Sequence, residues 1–165
     1  MNETLAEAIV KLLKEKHMTV TTVESCTGGL LSAALVDVSG ASDVFYQGIV
    51  TYANEAKVRL AGVKECTLEA YGAVSEETAK EMAEGGARAA NADACLSVTG
   101  IAGPSGGTKE KPVGLVYIGC FVNGTTVIEK NIFSGSRREV RQQSVEAALG
   151  LLIRCLQMEK QGDQL

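Results

Sequence analysis

Helix and strand patterns alternate along most of this chain, and the alternation limits the folds open to it. Apolar residues recur at helical spacing in residues 1–17 and again after residue 75, and short runs rich in Val and Thr lie between such segments. Alternation of this kind favours helices packed on both faces of a mostly parallel sheet. We therefore predict an α/β fold, a three-layer α/β/α sandwich whose mixed, mostly parallel sheet has about five strands.

Five segments carry the strand predictions, and the last two form a hairpin. The predicted strands are 18–24, 43–52, 94–99, 113–122 and 125–133. Asn123 and Gly124 separate the last pair, and this dipeptide is a strong signal for a two-residue hairpin turn. Those two strands should therefore be antiparallel. After the second strand, Asn54 is the predicted N-cap of a short helix.

Length and charge exclude several classes of protein. A chain of 165 residues suits one domain, predicted to cover 1–165. Lys and Arg number 16 against 20 Asp and Glu, which gives a net charge of −4. That sign disfavours nucleic acid as a partner. No 18 apolar residues run together and the first 20 do not resemble a leader, so we predict no membrane association and a cytoplasmic location.

One histidine and five scattered cysteines restrict the chemistry further. A zinc site with two or three histidine ligands is excluded, and a Ser-His-Asp triad would have to recruit His17. The cysteines are odd in number and form no C-x-x-C pair, so they indicate neither a disulfide framework nor structural zinc. A reducing compartment fits this usage.

Three loops follow predicted strands, where ligands of open α/β sheets bind. They are 25–29, 52–54 and 99–103, and we expect them to converge. In the first, Ser25 precedes two glycines at a helix start, whose free N–H groups suit a phosphate or an oxyanion. The segment matches neither G-x-S-x-G nor the P-loop spacing. Ser25 as a plain helix N-cap is the alternative.

A nucleophilic serine needs a base, and lysine is the natural substitute for histidine. Lys57 follows an apolar strand and lies close in sequence to Ala56, Val58 and Leu60. Partial burial there would lower its pKa and leave the amine neutral. The alternative is an ordinary solvated lysine on a helix surface.

Two further features suit a phosphorylated ligand. The loop 99–107 is rich in glycine without the G-x-G-x-x-G spacing, so it is either a wall that approaches a ligand closely or a flexible turn. Arg137 and Arg141 are four residues apart near a helix start, which places both on one side. They could clamp a phosphate, or they could form a solvated basic patch.

Together these segments resemble the CinA carboxy-terminal domain family, which includes bacterial nicotinamide-nucleotide amidases. The resemblance covers roughly residues 5–156. It rests on VESCTGG at 23–29, GIVTYANEAK at 48–57, GAVS at 72–75, TGIAGP at 99–104, KPVG at 111–114 and FSGSR at 133–137.

The resemblance implies a serine amidohydrolase without metal or cofactor that converts nicotinamide mononucleotide to nicotinic acid mononucleotide and ammonia. Ser25 is similar to the family's nucleophile and Lys57 to its base. The positions that would surround the substrate are Thr27, Gly28, Gly29, Tyr52, Asn54, Thr99, Gly100, Gly103, Arg137 and Arg141. Either arginine is similar to the phosphate partner.

The expected partner is thus a small mononucleotide, and the resemblance also suggests a homo-oligomer. Two alternatives stay open. The chain could be a non-catalytic nucleotide-binding or interaction module with Ser25 as a cap, or an amidase for another amide. Lys57 distinguishes the binding module from an enzyme, because a binding module needs no lysine of lowered pKa beside the serine.

Overall fold

The fold is seen in a computed structural model that describes residues 3–162, with side chains as far as Met158. The elements are α1 (Leu5–Lys16), β1 (Val20–Glu24), α2 (Leu30–Val36), a 3₁₀ helix (Ala41–Asp43), β2 (Phe45–Val50), α3 (Asn54–Ala61), α4 (Glu65–Tyr71), α5 (Glu76–Ala90), β3 (Ala94–Gly100), β4 (Leu115–Val122), β5 (Thr125–Ile132) and α6 (Arg137–Gly162).

The strands form one mixed sheet in the order β2-β1-β3-β4-β5. Strand β1 is parallel to both β2 and β3, and β4 is antiparallel to β3 and β5. Four of the five strands therefore run in one direction, as predicted. Asn123 and Gly124 join β4 to β5 with φ values of 44° and 90°. Positive φ at both positions matches the twist of a hairpin, so this prediction is also confirmed.

Helices cover both faces of the sheet, which confirms the three-layer sandwich. Along β3, Ala94, Leu96 and Val98 join the larger core beneath α1, α2 and α6. Cys95 joins a smaller core under α3 and α5, and the Ser97 hydroxyl donates to a carbonyl of α5. This alternation follows from the two-residue period of a strand, and helices on both faces leave β3 buried along nearly its whole length.

The largest differences from the predicted elements lie around α3 and α4. Ala53, not Asn54, is the N-cap of α3: it is extended, with φ −86° and ψ 157°, and its carbonyl accepts from the Lys57 amide. The prediction for Asn54 is wrong because the helix begins one residue earlier than its side chain suggests. Helix α4 was not predicted, and its N-cap Lys64 makes no side-chain cap bond that would have signalled it.

Within residues 3–162, no helix is both long and apolar enough to cross a bilayer.

Candidate active site

The ends of three adjacent parallel strands create the candidate site. Because β1 lies between β2 and β3, the loops that follow these strands meet at one edge of the sheet. They enclose a cavity of about 280 Å³. Its lining consists of Ser25, Cys26, Tyr52, Lys57, Ala73, Val74, Thr99, Gly100, Ile101, Ala102, Gly103, Ser105, Gly106 and Arg137.

Ser25 and Lys57 lie together at the bottom of this cavity. Ser25 directly follows β1, and its amide continues the parallel pairing by donating to the Val98 carbonyl at 2.9 Å. Lys57 projects from the first turn of α3 and is only 1% exposed. Its Nζ lies 3.0 Å from Ser25 Oγ and 2.7 Å from the Thr51 carbonyl oxygen. The amine is therefore fixed between one hydroxyl and one carbonyl.

Burial lowers the pKa of Lys57 below the ordinary value of 10.5, because a charged amine loses its hydration there. The lowered pKa favours the neutral amine, which is the form that accepts a proton. Burial also raises the pKa of the neighbouring Cys26 thiol to about 11, so this thiol stays protonated at neutral pH. The structure therefore places an amine of lowered pKa beside the Ser25 hydroxyl, while the adjacent thiol stays protonated.

Glu24 holds the turn beside the candidate site, a role that the sequence reasoning missed. Its side chain is fully buried, and its two carboxylate oxygens accept from the amides of Gly29, Leu31 and Ser32 at 2.8–3.2 Å and from the Ser32 hydroxyl at 2.7 Å. The free N–H groups at the start of α2 are thus bound internally. A carboxylate before the short turn that leads into α2 was the available signal, since negative charge is favoured near a helix start.

The turn after Ser25 is also held from α6. Arg141 donates through Nε to the Cys26 carbonyl at 3.0 Å and through Nη2 to the Thr27 carbonyl at 2.9 Å. The Gly28 amide donates back to the Ser25 carbonyl. Thr27, Gly28, Gly29 and Arg141 therefore shape the turn but do not line the cavity.

The mouth of the cavity is built from exposed groups. Arg137 donates through Nη1 to the Gly103 carbonyl and through Nη2 to the Tyr52 hydroxyl, both at 2.9 Å. Tyr52 is 63% exposed. Asn54 lies outside this lining and borders a separate groove with Glu55 and Glu65. Of the two predicted arginines, only Arg137 faces the cavity.

The wall at the end of β3 is tied to the segment that leads into α5. The Thr99 hydroxyl at the end of β3 donates to the Ala73 carbonyl at 2.6 Å, and Ser75 caps α5 just beyond. Thr99 and Gly100 thus line the cavity as predicted for the third loop. The residues that line the cavity include no Asp or Glu, so Arg137 is the permanently charged side chain among them, beside the Lys57 amine of lowered pKa.

Comparison with known proteins identifies the family. The CinA C-terminal domain family matches residues 2–156, and the chain belongs to that family. It is 53% identical over 154 residues to a CinA-like protein of Kosmotoga olearia, covering 93% of this chain and 37% of that relative. The chain thus spans little more than a third of the length of the curated relatives it matches.

Solved structures show the same fold. The competence/damage inducible protein CihA from Agrobacterium tumefaciens superposes with a TM-score of 0.91 at 42% identity, covering 94% of both chains. A competence-damaged protein (CinA) superfamily protein from Escherichia coli gives a TM-score of 0.90 at 35% identity, covering 93% of this chain and 89% of the other.

Proposed function

We propose that this chain is an amidohydrolase that hydrolyses the carboxamide of nicotinamide mononucleotide to nicotinic acid mononucleotide and ammonia. The observation that carries the proposal is the 3.0 Å contact between Lys57 Nζ and Ser25 Oγ at the bottom of the cavity. Membership of the CinA family supports it, because the resemblance of the motifs implies this activity.

The contacts of Lys57 define the first step. Lys57 Nζ donates to Ser25 Oγ and to the Thr51 carbonyl. When the amine is neutral, it has one lone pair and two N–H groups, and the lone pair can accept the Ser25 hydroxyl proton along the first of these contacts. As Ser25 Oγ bonds to the carboxamide carbon, its proton passes to Lys57. The carbon–nitrogen bond then breaks while Lys57 returns the proton to the departing nitrogen. Ammonia leaves, and an ester joins the nicotinoyl group to Ser25.

Water completes the cycle by the same relay. A water molecule attacks the ester carbon and gives a proton to Lys57. The bond to Ser25 Oγ then breaks, and Lys57 returns that proton to the oxygen. The products are the free enzyme and the carboxylic acid, which releases a proton to water and becomes the carboxylate. Within the protein, Ser25 is the group that forms and breaks the covalent bond to the substrate, and Lys57 carries the proton in each step.

The oxyanion formed in each step needs N–H donors. The Gly28 and Gly29 amides already donate to the Ser25 carbonyl and the Glu24 carboxylate. The amides of Cys26 and Thr27 donate to no other residue in the described part of the chain. We assign oxyanion stabilisation to these two amides, at the residues that directly follow the nucleophile. One such donor typically contributes about 3 kcal/mol to the transition state.

Arg137 supplies the site for the phosphate. Its guanidinium lies at the exposed mouth of the cavity and is anchored by Gly103 and Tyr52. A guanidinium binds phosphate through paired N–H groups. Without carboxylates in the lining, the cavity favours an anionic ligand.

The test is ammonia release from nicotinamide mononucleotide by the purified chain after chelator treatment, with the acid product identified chromatographically. Ser25→Ala should abolish turnover. Addition of hydroxylamine should divert the ester to a hydroxamate, which reports the covalent intermediate directly.

Lys11→Ala is the matched control, since Lys11 is exposed on α1 away from the cavity. Turnover by the Lys11 variant and the wild type, but not by Ser25→Ala, supports the proposal. Turnover that persists in Ser25→Ala would refute the nucleophile. Tight binding of the nucleotide by the wild type without any product would favour a binding module instead.

A further inference from the structure

Two arginines on α6 meet the candidate site in different ways. Arg137 and Arg141 are one helical turn apart, yet only Arg137 lines the cavity. Arg137 is exposed at the mouth, whereas Arg141 is half-buried beneath the turn that carries Ser25. The two side chains share charge and helix face, so their different contacts point to different roles.

Arg141 binds two successive carbonyls of the turn, those of Cys26 and Thr27. The carbonyl and the N–H of one trans peptide point in opposite directions. A carbonyl of Cys26 directed at Arg141 therefore turns the Thr27 N–H away from Arg141. In the next peptide, the carbonyl of Thr27 faces Arg141 and the Gly28 N–H faces the Ser25 carbonyl. The guanidinium thus fixes the Cys26–Thr27 and Thr27–Gly28 peptides, and of the two amides assigned to the oxyanion it orients that of Thr27.

Glu24 holds the other side of the same turn. Its carboxylate accepts hydrogen bonds from the amides of Gly29, Leu31 and Ser32. Arg141 donates to the carbonyls of Cys26 and Thr27. The turn is therefore fixed between an anion that binds its donors and a cation that binds its acceptors. A guanidinium suits the second task because its N–H groups lie in one rigid plane.

We propose that Arg141 is a positioning residue that orients the Ser25 turn and its oxyanion-binding amide, and that Arg141 is not a ligand of the substrate phosphate. This inference rests on the proposed function. It separates the roles of the two arginines: Arg141 acts on the rate of the chemical step, and Arg137 acts on substrate binding.

The experiment compares Arg141→Lys with Arg137→Lys in the full chain. Lysine keeps the charge but lacks the planar fork that binds two carbonyls at once. For Arg141→Lys we expect kcat to fall about 10- to 100-fold with KM nearly unchanged, as small misplacements of catalytic groups have effects of this size. For Arg137→Lys we expect the reverse, a raised KM with kcat nearly unchanged. Arg138→Lys, exposed between them, is the matched control.

A second measurement does not depend on the nucleotide. A small uncharged fluorophosphonate labels activated serines, and the rate of Ser25 labelling reports the nucleophile and its oxyanion donors. Arg141→Lys should slow labelling by the same factor as kcat, and the control Arg138→Lys should leave it unchanged. In Arg141→Ala, added ethylguanidinium should restore part of the labelling rate, which a merely misfolded variant would not show.

The outcomes separate this inference from the proposed function. If the wild type is labelled but releases no ammonia, slower labelling of Arg141→Lys still supports the positioning role, and the substrate assignment fails alone. Labelling of Arg141→Lys at the wild-type rate, with a raised KM for the nucleotide, would overturn the inference and make Arg141 a substrate ligand. A wild type that resists labelling would overturn both.

Discussion

The candidate site has a buried floor and an exposed rim. The floor consists of Ser25, Lys57 and Glu24, which are hydrogen-bonded from several sides, and the rim consists of Tyr52 and Arg137. Lys57 makes two hydrogen bonds, and the Glu24 carboxylate accepts four, from three residues. The rim is joined by one bond between its two side chains and one bond to the Gly103 carbonyl.

The difference follows from solvation. A buried polar group without its partners pays a large desolvation cost, so the floor is held in one arrangement. An exposed group can exchange its contacts for water or for a ligand. Under the proposed function, protons are transferred at the floor and the substrate is recognised at the rim. Four predictions test this contrast.

Lys57→Met should have the largest effect. Methionine fills much of the lysine volume but cannot accept a proton, so kcat should fall about 10²- to 10⁴-fold, the usual contribution of a general base. Ammonia release under saturating nucleotide measures this, with Lys11→Met as control. Near-normal turnover would mean that a group other than Lys57 activates Ser25.

Glu24→Gln should affect both rate and stability. The amide group of glutamine would face backbone N–H groups at the start of α2 that now donate to a carboxylate oxygen. Lost hydrogen bonds to a buried charge cost about 2–3 kcal/mol, and kcat should fall with the loosened turn. Urea denaturation and kcat measure the two effects. Glu81→Gln removes a less buried acceptor, and an equal loss of stability there would contradict a special role for Glu24.

The lowered pKa of Lys57 also predicts how stability depends on pH. Between the folded pKa and 10.5 the unfolded chain binds more protons, so wild-type stability rises with pH across that interval. The Lys57→Met variant has no amine at this position, so its stability does not carry this dependence on pH. Its melting temperature relative to that of the wild type should therefore be most favourable near pH 7, where the wild type carries the full cost of burying the amine. This relative melting temperature should fall toward pH 10, and a difference that is constant with pH would argue against a buried neutral amine.

Tyr52→Phe should have the smallest effect. It removes the hydroxyl that binds Arg137 while keeping the ring. Loss of one exposed hydrogen bond should raise KM about 2- to 10-fold and leave kcat and melting temperature unchanged. A large fall in kcat would place Tyr52 at the floor rather than the rim.

Much of this architecture could be predicted because it depends on local patterns. The apolar run at 94–99 indicated a buried central strand, and Asn123-Gly124 indicated the hairpin. The alternation of elements then implied that three loops meet at one sheet edge, and those loops contain Ser25 and Lys57. Asn54 was placed incorrectly because a cap depends on where the backbone enters the helix, and the N-cap is Ala53.

The sequence by itself determined the order of the elements and the chemical groups available: one nucleophile candidate, one lysine among apolar neighbours and two arginines. Only the tertiary structure decided that Glu24 occupies the amides of α2 and that Arg141 binds the Ser25 turn while Arg137 faces the cavity. The physical reason is that a spacing of four places two side chains on one helix face but leaves their partners undefined. The carbonyls that Arg141 binds lie more than a hundred residues away in the chain, and the Gly103 carbonyl that Arg137 binds lies 34 residues away. Only the packing of the fold brings these groups together.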